Sequence, residues 1–103
     1  MPFGGGGLAC GIACAMRALS RRVKIIACEL ERAAPLTAAR ASGVPVSIDY
    51  DAGFVSGVGF GRVLPGMWPL TEELIDEVIT VPLADVARAI KLLAAALEDR
   101  LPV

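Results

Sequence analysis

The apolar positions fall into blocks with two different spacings. Leu8, Ile12, Met16 and Leu19 recur at helical intervals with Ala and Gly between them. This predicts a helix over about 8–20, packed closely through Ala9, Gly11 and Ala13. The basic pair Arg21-Arg22 suits its C-terminal end. Residues 23–28 (Val-Lys-Ile-Ile-Ala-Cys) are mostly apolar and β-branched, and predict a short buried parallel strand. Glu29 stands at the C-terminal end of that strand, the edge where open α/β sheets bind ligands. A second helix is predicted over 33–42, with Gly43 as its C′ residue and Pro45 preventing continuation. Residues 44–48 read as a short extended segment. Over 51–66, Gly53, Gly57, Gly59, Gly61 and Gly66 break the pattern, which predicts an irregular ligand-facing loop or a broken helix. A third helix is predicted over 68–75, with Leu70, Leu74 and Ile75 inward. Residues 77–81 (Glu-Val-Ile-Thr-Val) form the second clear strand, and 85–98 the strongest helix, with Val86, Ile90, Leu93 and Leu97 on one stripe.

Helices that alternate with buried-type strands imply an α/β fold: a short parallel sheet flanked by helices. The 103 residues suffice for one small domain. Hydrophobic residues make up 55%, and the mean hydropathy is +0.64. That is high for a small free-standing domain and resembles the interior of a larger α/β protein. Only Met1, Pro2 and Phe3 precede a run of glycines, and a phosphate loop ordinarily hangs off the end of a strand. The expectation is therefore a single partial domain over 1–103, a fragment whose first strand is missing. Its apolar strand edges would need a second copy or a partner chain to cover them.

The run Gly4, Gly5, Gly6, Gly7 leads directly into the first helix. Glycine lets backbone approach a ligand closely, and the start of a helix offers unpaired N–H groups at the positive end of its dipole. The combination is a seat for an anion, most often a phosphate on a small molecule.

Charge and composition narrow the remaining chemistry. A net charge of −1 gives no pull toward nucleic acid or an acidic membrane. The cluster Arg17, Arg21, Arg22 and Lys24 reads as a solvated helix end and turn. There is no histidine, which removes Ser-His-Asp and Cys-His nucleophile systems. The three cysteines Cys10, Cys14 and Cys28 are an odd count, which argues for a reducing, cytoplasmic setting. Cys10 and Cys14 share a helix face and read as small core residues rather than zinc ligands. No basic n-region precedes the uncharged start, and no apolar run approaches the ~18 residues of a membrane span.

Three patterns compete for the glycine run. A Walker-type loop needs a following Lys-Ser or Lys-Thr, which is absent. A Rossmann fingerprint is formally met by Gly4-x-Gly6-x-x-Ala9, with Glu29 near the place of a ribose-binding acid. The third pattern is a resemblance carried by an ordered series. Pro2-Phe3-Gly4-Gly5-Gly6-Gly7-Leu8 with Gly11-Ile12-Ala13 resembles the tetraglycine phosphate loop of the fold-type II pyridoxal-phosphate enzymes, in the threonine/serine dehydratase and serine racemase branch. Val23 through Glu29 is similar to that family's next strand, and Ser42-Gly43-Val44-Pro45-Val46 to its helix end and turn. Leu74-Ile75-Asp76-Glu77-Val78-Ile79-Thr80-Val81 resembles its "LVDDVVTV" run.

The resemblance implies a partial fold-type II domain and pyridoxal 5′-phosphate as cofactor. The backbone of Gly4, Gly5, Gly6, Gly7 and Leu8 would hold the phosphate. The implied chemistry is that of a dehydratase or ammonia-lyase acting on serine or threonine. It further implies a divalent-cation site with Glu29 as a ligand and the Ala33 carbonyl beside it, while the second acidic ligand falls on Pro35. The residues alone read Glu29 as a solvated strand end. The family's Schiff-base lysine lies N-terminal to the glycine loop, so no catalytic residue is expected here and the chain alone should lack turnover. An Ala-Asp-Gly of the family appears as Val55-Ser56-Gly57, and its helix-capping serine as Pro82. The other readings are an oligomeric binding protein and a dinucleotide binder.

Overall fold

The computed structural model describes residues 1–20, 22–55, 57, 59–98 and 100. Its elements are α1 (Gly7–Leu19), β1 (Ile26–Leu30), α2 (Pro35–Ser42), a 3-10 turn (Pro65–Met67), α3 (Trp68–Leu74), β2 (Glu77–Val81) and α4 (Leu83–Glu98). This is the expected α/β alternation. β1 begins three residues later than its apolar run. Residues 44–48 form no strand; Ile48 donates one backbone bond, to the Gly61 carbonyl at 2.9 Å.

β1 and β2 pair in parallel, with Ile26 opposite Glu77 and Leu30 opposite Val81. No strand precedes the glycines among the described residues, but the stub is paired with the sheet. Pro2 makes a parallel bridge with Cys28 on the other edge of β1. Phe3 N–H donates to the Cys28 carbonyl at 3.0 Å, and Cys28 N–H to the Met1 carbonyl at 2.7 Å. The glycine run therefore starts next to a single bridge that ties Pro2 to β1.

The core gathers Phe3, Ala9, Ala13, Ile25, Ala27, Leu36, Ala39, Val63, Leu74 and Ile75. α1 enters it through small residues: Ala9, Cys10 and Ala13 are buried, as their size allows close helix approach. Of its bulky stripe, Leu8, Ile12 and Leu19 are exposed (Leu8 65%, Leu19 82%) while Met16 packs partly against the core, and Gly11 is exposed too. Cys14 is likewise exposed, so the two cysteines of α1 do not share the core. β1 is largely buried, as a parallel strand should be, but β2 is not, and Ile79 on it is 47% exposed. α4 buries no residue at all; Ile90, Leu93 and Leu97 of its predicted stripe face outward. No helix among the described residues is long and apolar enough to cross a membrane.

Ion pairs pin the opposite end of the sheet. The Asp76 carboxylate accepts from Ile25 N–H at 2.6 Å and from the Arg17 guanidinium at 2.7 Å. Arg17 also donates to the Val23 carbonyl at 2.6 Å, and Arg40 donates to the Ile75 carbonyl. One acid thus ties α1, the start of β1 and the start of β2 together. The Ile25 amide first, and Arg17 after it, hold its carboxyl below the usual aspartate range.

Candidate functional site

The glycine run forms one wall of a cleft of about 330 Å³, lined by Pro2, Gly4, Gly5, Gly6, Gly7, Leu8, Ala9 and Gly57. Gly6 is the N-cap of α1, with φ +108° and ψ −10°. An L side chain rarely adopts that conformation. It places the Gly6 carbonyl to accept from Cys10 N–H at 2.9 Å, the first bond of the helix. Among the described residues, the N–H groups of Gly4, Gly5, Gly6, Gly7, Leu8 and Ala9 donate no hydrogen bond. Six consecutive free amides meet the positive end of a 13-residue helix here.

The back of the loop is held rigidly. Leu64 N–H donates to the Gly5 carbonyl at 2.9 Å, and a Cβ on Gly5 would stand 3.0 Å from Leu64 Cγ. A Cβ on Gly6 would stand 3.2 Å from both Phe3 Cζ and Met67 Cβ. Beneath it, the buried Thr71 hydroxyl donates to the Met67 carbonyl at 2.8 Å and lies 3.3 Å from Cys10 Sγ, which docks α1 on α3. Gly7 differs: nothing lies within 4 Å of where its Cβ would be. Gly5 and Gly6 are thus glycines because protein packs against them, and Gly7 is open. Among the described residues no carboxylate lines the cleft, and its free amides suit an anion.

Sequence reasoning brought Gly4 to Leu8 together and the structure keeps them together. It missed Pro2 and Ala9 as cleft residues. Gly57 comes from the glycine-rich segment expected to face a ligand, while Pro2 is placed by its bridge to β1, for which a three-residue stub carries no signal.

Glu29 is not a solvated strand end. It is 1% exposed, and both carboxylate oxygens are engaged at the start of α2. Oε1 accepts from Leu36 N–H; Oε2 accepts from Thr37 N–H at 3.0 Å and from the Thr37 hydroxyl at 2.8 Å. Burial pushes this carboxyl up from the ordinary glutamate range, against those three bonds and the nearby Arg40. Ala33 is fully buried and its N–H donates to the Leu30 carbonyl at 3.0 Å; Pro35 is the first residue of α2. Among the described residues, no group of three or more His, Cys, Asp or Glu side chains is arranged to hold a metal ion.

The comparisons with known proteins converge. The family model described as "Pyridoxal-phosphate dependent enzyme" matches residues 1–98. The biosynthetic L-threonine dehydratase of Salmonella typhimurium is 37% identical over 91 residues, which is 88% of this chain and 18% of that protein. The Escherichia coli biosynthetic L-threonine dehydratase matches to the same extent. Among solved structures, threonine deaminase isoform 2 from Solanum lycopersicum superposes with a TM-score of 0.85 at 31% identity, over 91% of this chain and 27% of that one. Maize serine racemase gives a TM-score of 0.85 at 27% identity, over 94% and 30%. The chain therefore spans less than a third of the length of the relatives named here. The ordered glycine loop, the parallel strands and the relatives agree: this chain belongs to the family of pyridoxal-phosphate dependent enzymes.

Proposed function

We propose that these residues are the phosphate-gripping part of a pyridoxal-phosphate-dependent dehydratase or ammonia-lyase of the serine/threonine type. The observation that carries this is the row of free amides from Gly4 to Ala9, opening α1 onto the cleft. The amides of Gly4, Gly5, Gly6, Gly7 and Leu8 would hold the cofactor phosphate, with the helix dipole aligned behind them. When bound, pyridoxal phosphate supplies an electron sink for charge developing on an amino-acid substrate. This chain contributes grip and orientation, through a loop whose back is braced by Leu64, Phe3 and Met67.

The amine that such chemistry needs is not offered by these residues. Lys24 is ion-paired with Glu77, and that partner raises its pKa, which keeps the amine protonated and a poor nucleophile. Lys91 lies exposed on α4. Neither lines the cleft. The reading is binding without turnover by the 103-residue chain. The three free cysteines suit a reducing, cytoplasmic setting. The open faces of β2 and α4 support a partner chain or second copy that covers them.

Titration with pyridoxal phosphate, followed by absorbance and by competition with inorganic phosphate, tests the cradle. Saturable binding that phosphate displaces is expected; no binding by a folded chain refutes it. Borohydride trapping and mass spectrometry test the lack of turnover. A trapped adduct on Lys24 or Lys91, together with keto acid released from serine or threonine, refutes that part.

A further inference from the structure

We propose that Glu29 is the built-in N-terminal cap of α2 and that this commitment closes the cation site implied by the family resemblance, leaving the β1–α2 turn independent of metal. α2 starts without a side-chain cap of its own: Ala34 precedes it, and no first-turn residue is acidic. Pro35 has no N–H, but the next amide, that of the fully buried Leu36, must still be satisfied. Glu29 reaches across from the end of β1 and accepts from Leu36 N–H, Thr37 N–H and the Thr37 hydroxyl. A carboxylate seated on a helix N-terminus also meets the positive end of its dipole. The three bonds occupy both oxygens.

The donor set left over does not suit a divalent cation. A hard cation takes about six to eight oxygens, and more than one carboxylate is the usual source of charge. The matching second position is Pro35, which has no side-chain oxygen. Ala33, whose carbonyl would be the other ligand, is fully buried within the turn that its N–H closes on Leu30. Turning Glu29 toward a cation would strip the buried Leu36 amide of its acceptor and release both Thr37 donors, at a cost that one carboxylate–cation contact must exceed.

The experiment is thermal unfolding of the full 103-residue chain, with and without EDTA, over a series of Mg²⁺, Ca²⁺ and Mn²⁺ concentrations. Mn²⁺ binding is followed in parallel by its electron paramagnetic resonance signal. The expected wild-type result is a Tm that none of these changes, and no Mn²⁺ uptake. A saturable rise in Tm with any of the three that Glu29→Gln removes would overturn the inference. Glu29→Gln places an NH₂ against an N–H donor and should lower Tm by roughly 4–8 °C or more. Pro35→Asp supplies the absent second carboxylate while leaving Glu29 in place. If Glu29 is committed to α2, that variant still takes up no Mn²⁺; uptake by Pro35→Asp would show that Glu29 is free to turn, and would also overturn the inference.

Discussion

Gly6 and Gly7 are neighbours in one loop, yet methylating each should have opposite consequences. At Gly6 the backbone has φ +108°, and a Cβ would stand 3.2 Å from Phe3 Cζ and from Met67 Cβ. The left-handed conformation costs an L residue roughly 1–2 kcal/mol. Phe3 is 1% exposed and cannot swing away, so overpacking adds about 1–3 kcal/mol. Gly6→Ala should therefore lose roughly 2–5 kcal/mol of a stability that is itself only about 5–15 kcal/mol for a domain. Gly7 is the first residue of α1, its φ is not positive, and its Cβ would meet nothing within 4 Å. Gly7→Ala should be neutral, or stabilising by about 0.4–1 kcal/mol through the unfolded chain. The two variants should then differ in Tm by at least ~8 °C, at about 4–8 °C per kcal/mol. Circular dichroism melts read that difference. The same pair should invert in a pyridoxal-phosphate titration, because the Gly7 methyl projects into open space on the cleft wall. Gly7→Ala should stay folded and bind about tenfold or more weakly, near 1.4 kcal/mol. Equal loss of Tm in both variants would refute the division of the loop into a packed side and an open side. A folded Gly7→Ala that binds as the wild type does would refute the open side as the ligand's seat.

Other outcomes follow from the rest of the molecule. Asp76 has a carboxyl held below its usual range by the Ile25 amide and Arg17, so its contribution to stability is complete above the unfolded aspartate pKa and is lost as pH falls through the folded one. Asp76→Asn should flatten the acid limb of a Tm-versus-pH curve below about pH 4; an unchanged limb contradicts the staple. Leu36→Ala, at a fully buried site, should cost roughly 2–5 kcal/mol in urea denaturation, and a loss below about 1 kcal/mol would mean that α2 is not part of the core. Light scattering should show association of the wild-type chain through its open apolar faces, with Ile90→Glu and Leu93→Glu shifting it toward monomer; a stable wild-type monomer removes the case for a covering partner.

How far the sequence could be read is best seen residue by residue. Helical spacing in 8–19 identified α1, but Leu8 and Leu19 lie outside while Ala9, Cys10 and Ala13 lie inside. Periodicity reports which residues share a face. It does not report which face the neighbours of the helix can accommodate, and a helix this close to α3 needs small residues there. Glu29 at a strand end read as solvated or as a metal ligand. Its actual partners, two amides and a hydroxyl of α2, became visible only when the β1–α2 turn was in place.

The order of elements and the α/β class follow from spacing along the chain, because both rest on local conformation, while the family is carried by the resemblance of an ordered series of motifs. Glycines at 4–7, β-branched runs at 23–28 and 77–81, and the stripe at 85–98 mean much the same wherever they are packed. Tertiary structure decided what depends on distant partners: the bridge that ties Pro2 to β1, the bracing of Gly5 and Gly6 by Leu64, Phe3 and Met67, and the open faces of β2 and α4. A hydrogen bond or a buried contact between segments far apart in the chain is a property of two surfaces meeting, and neither sequence segment carries the other's shape.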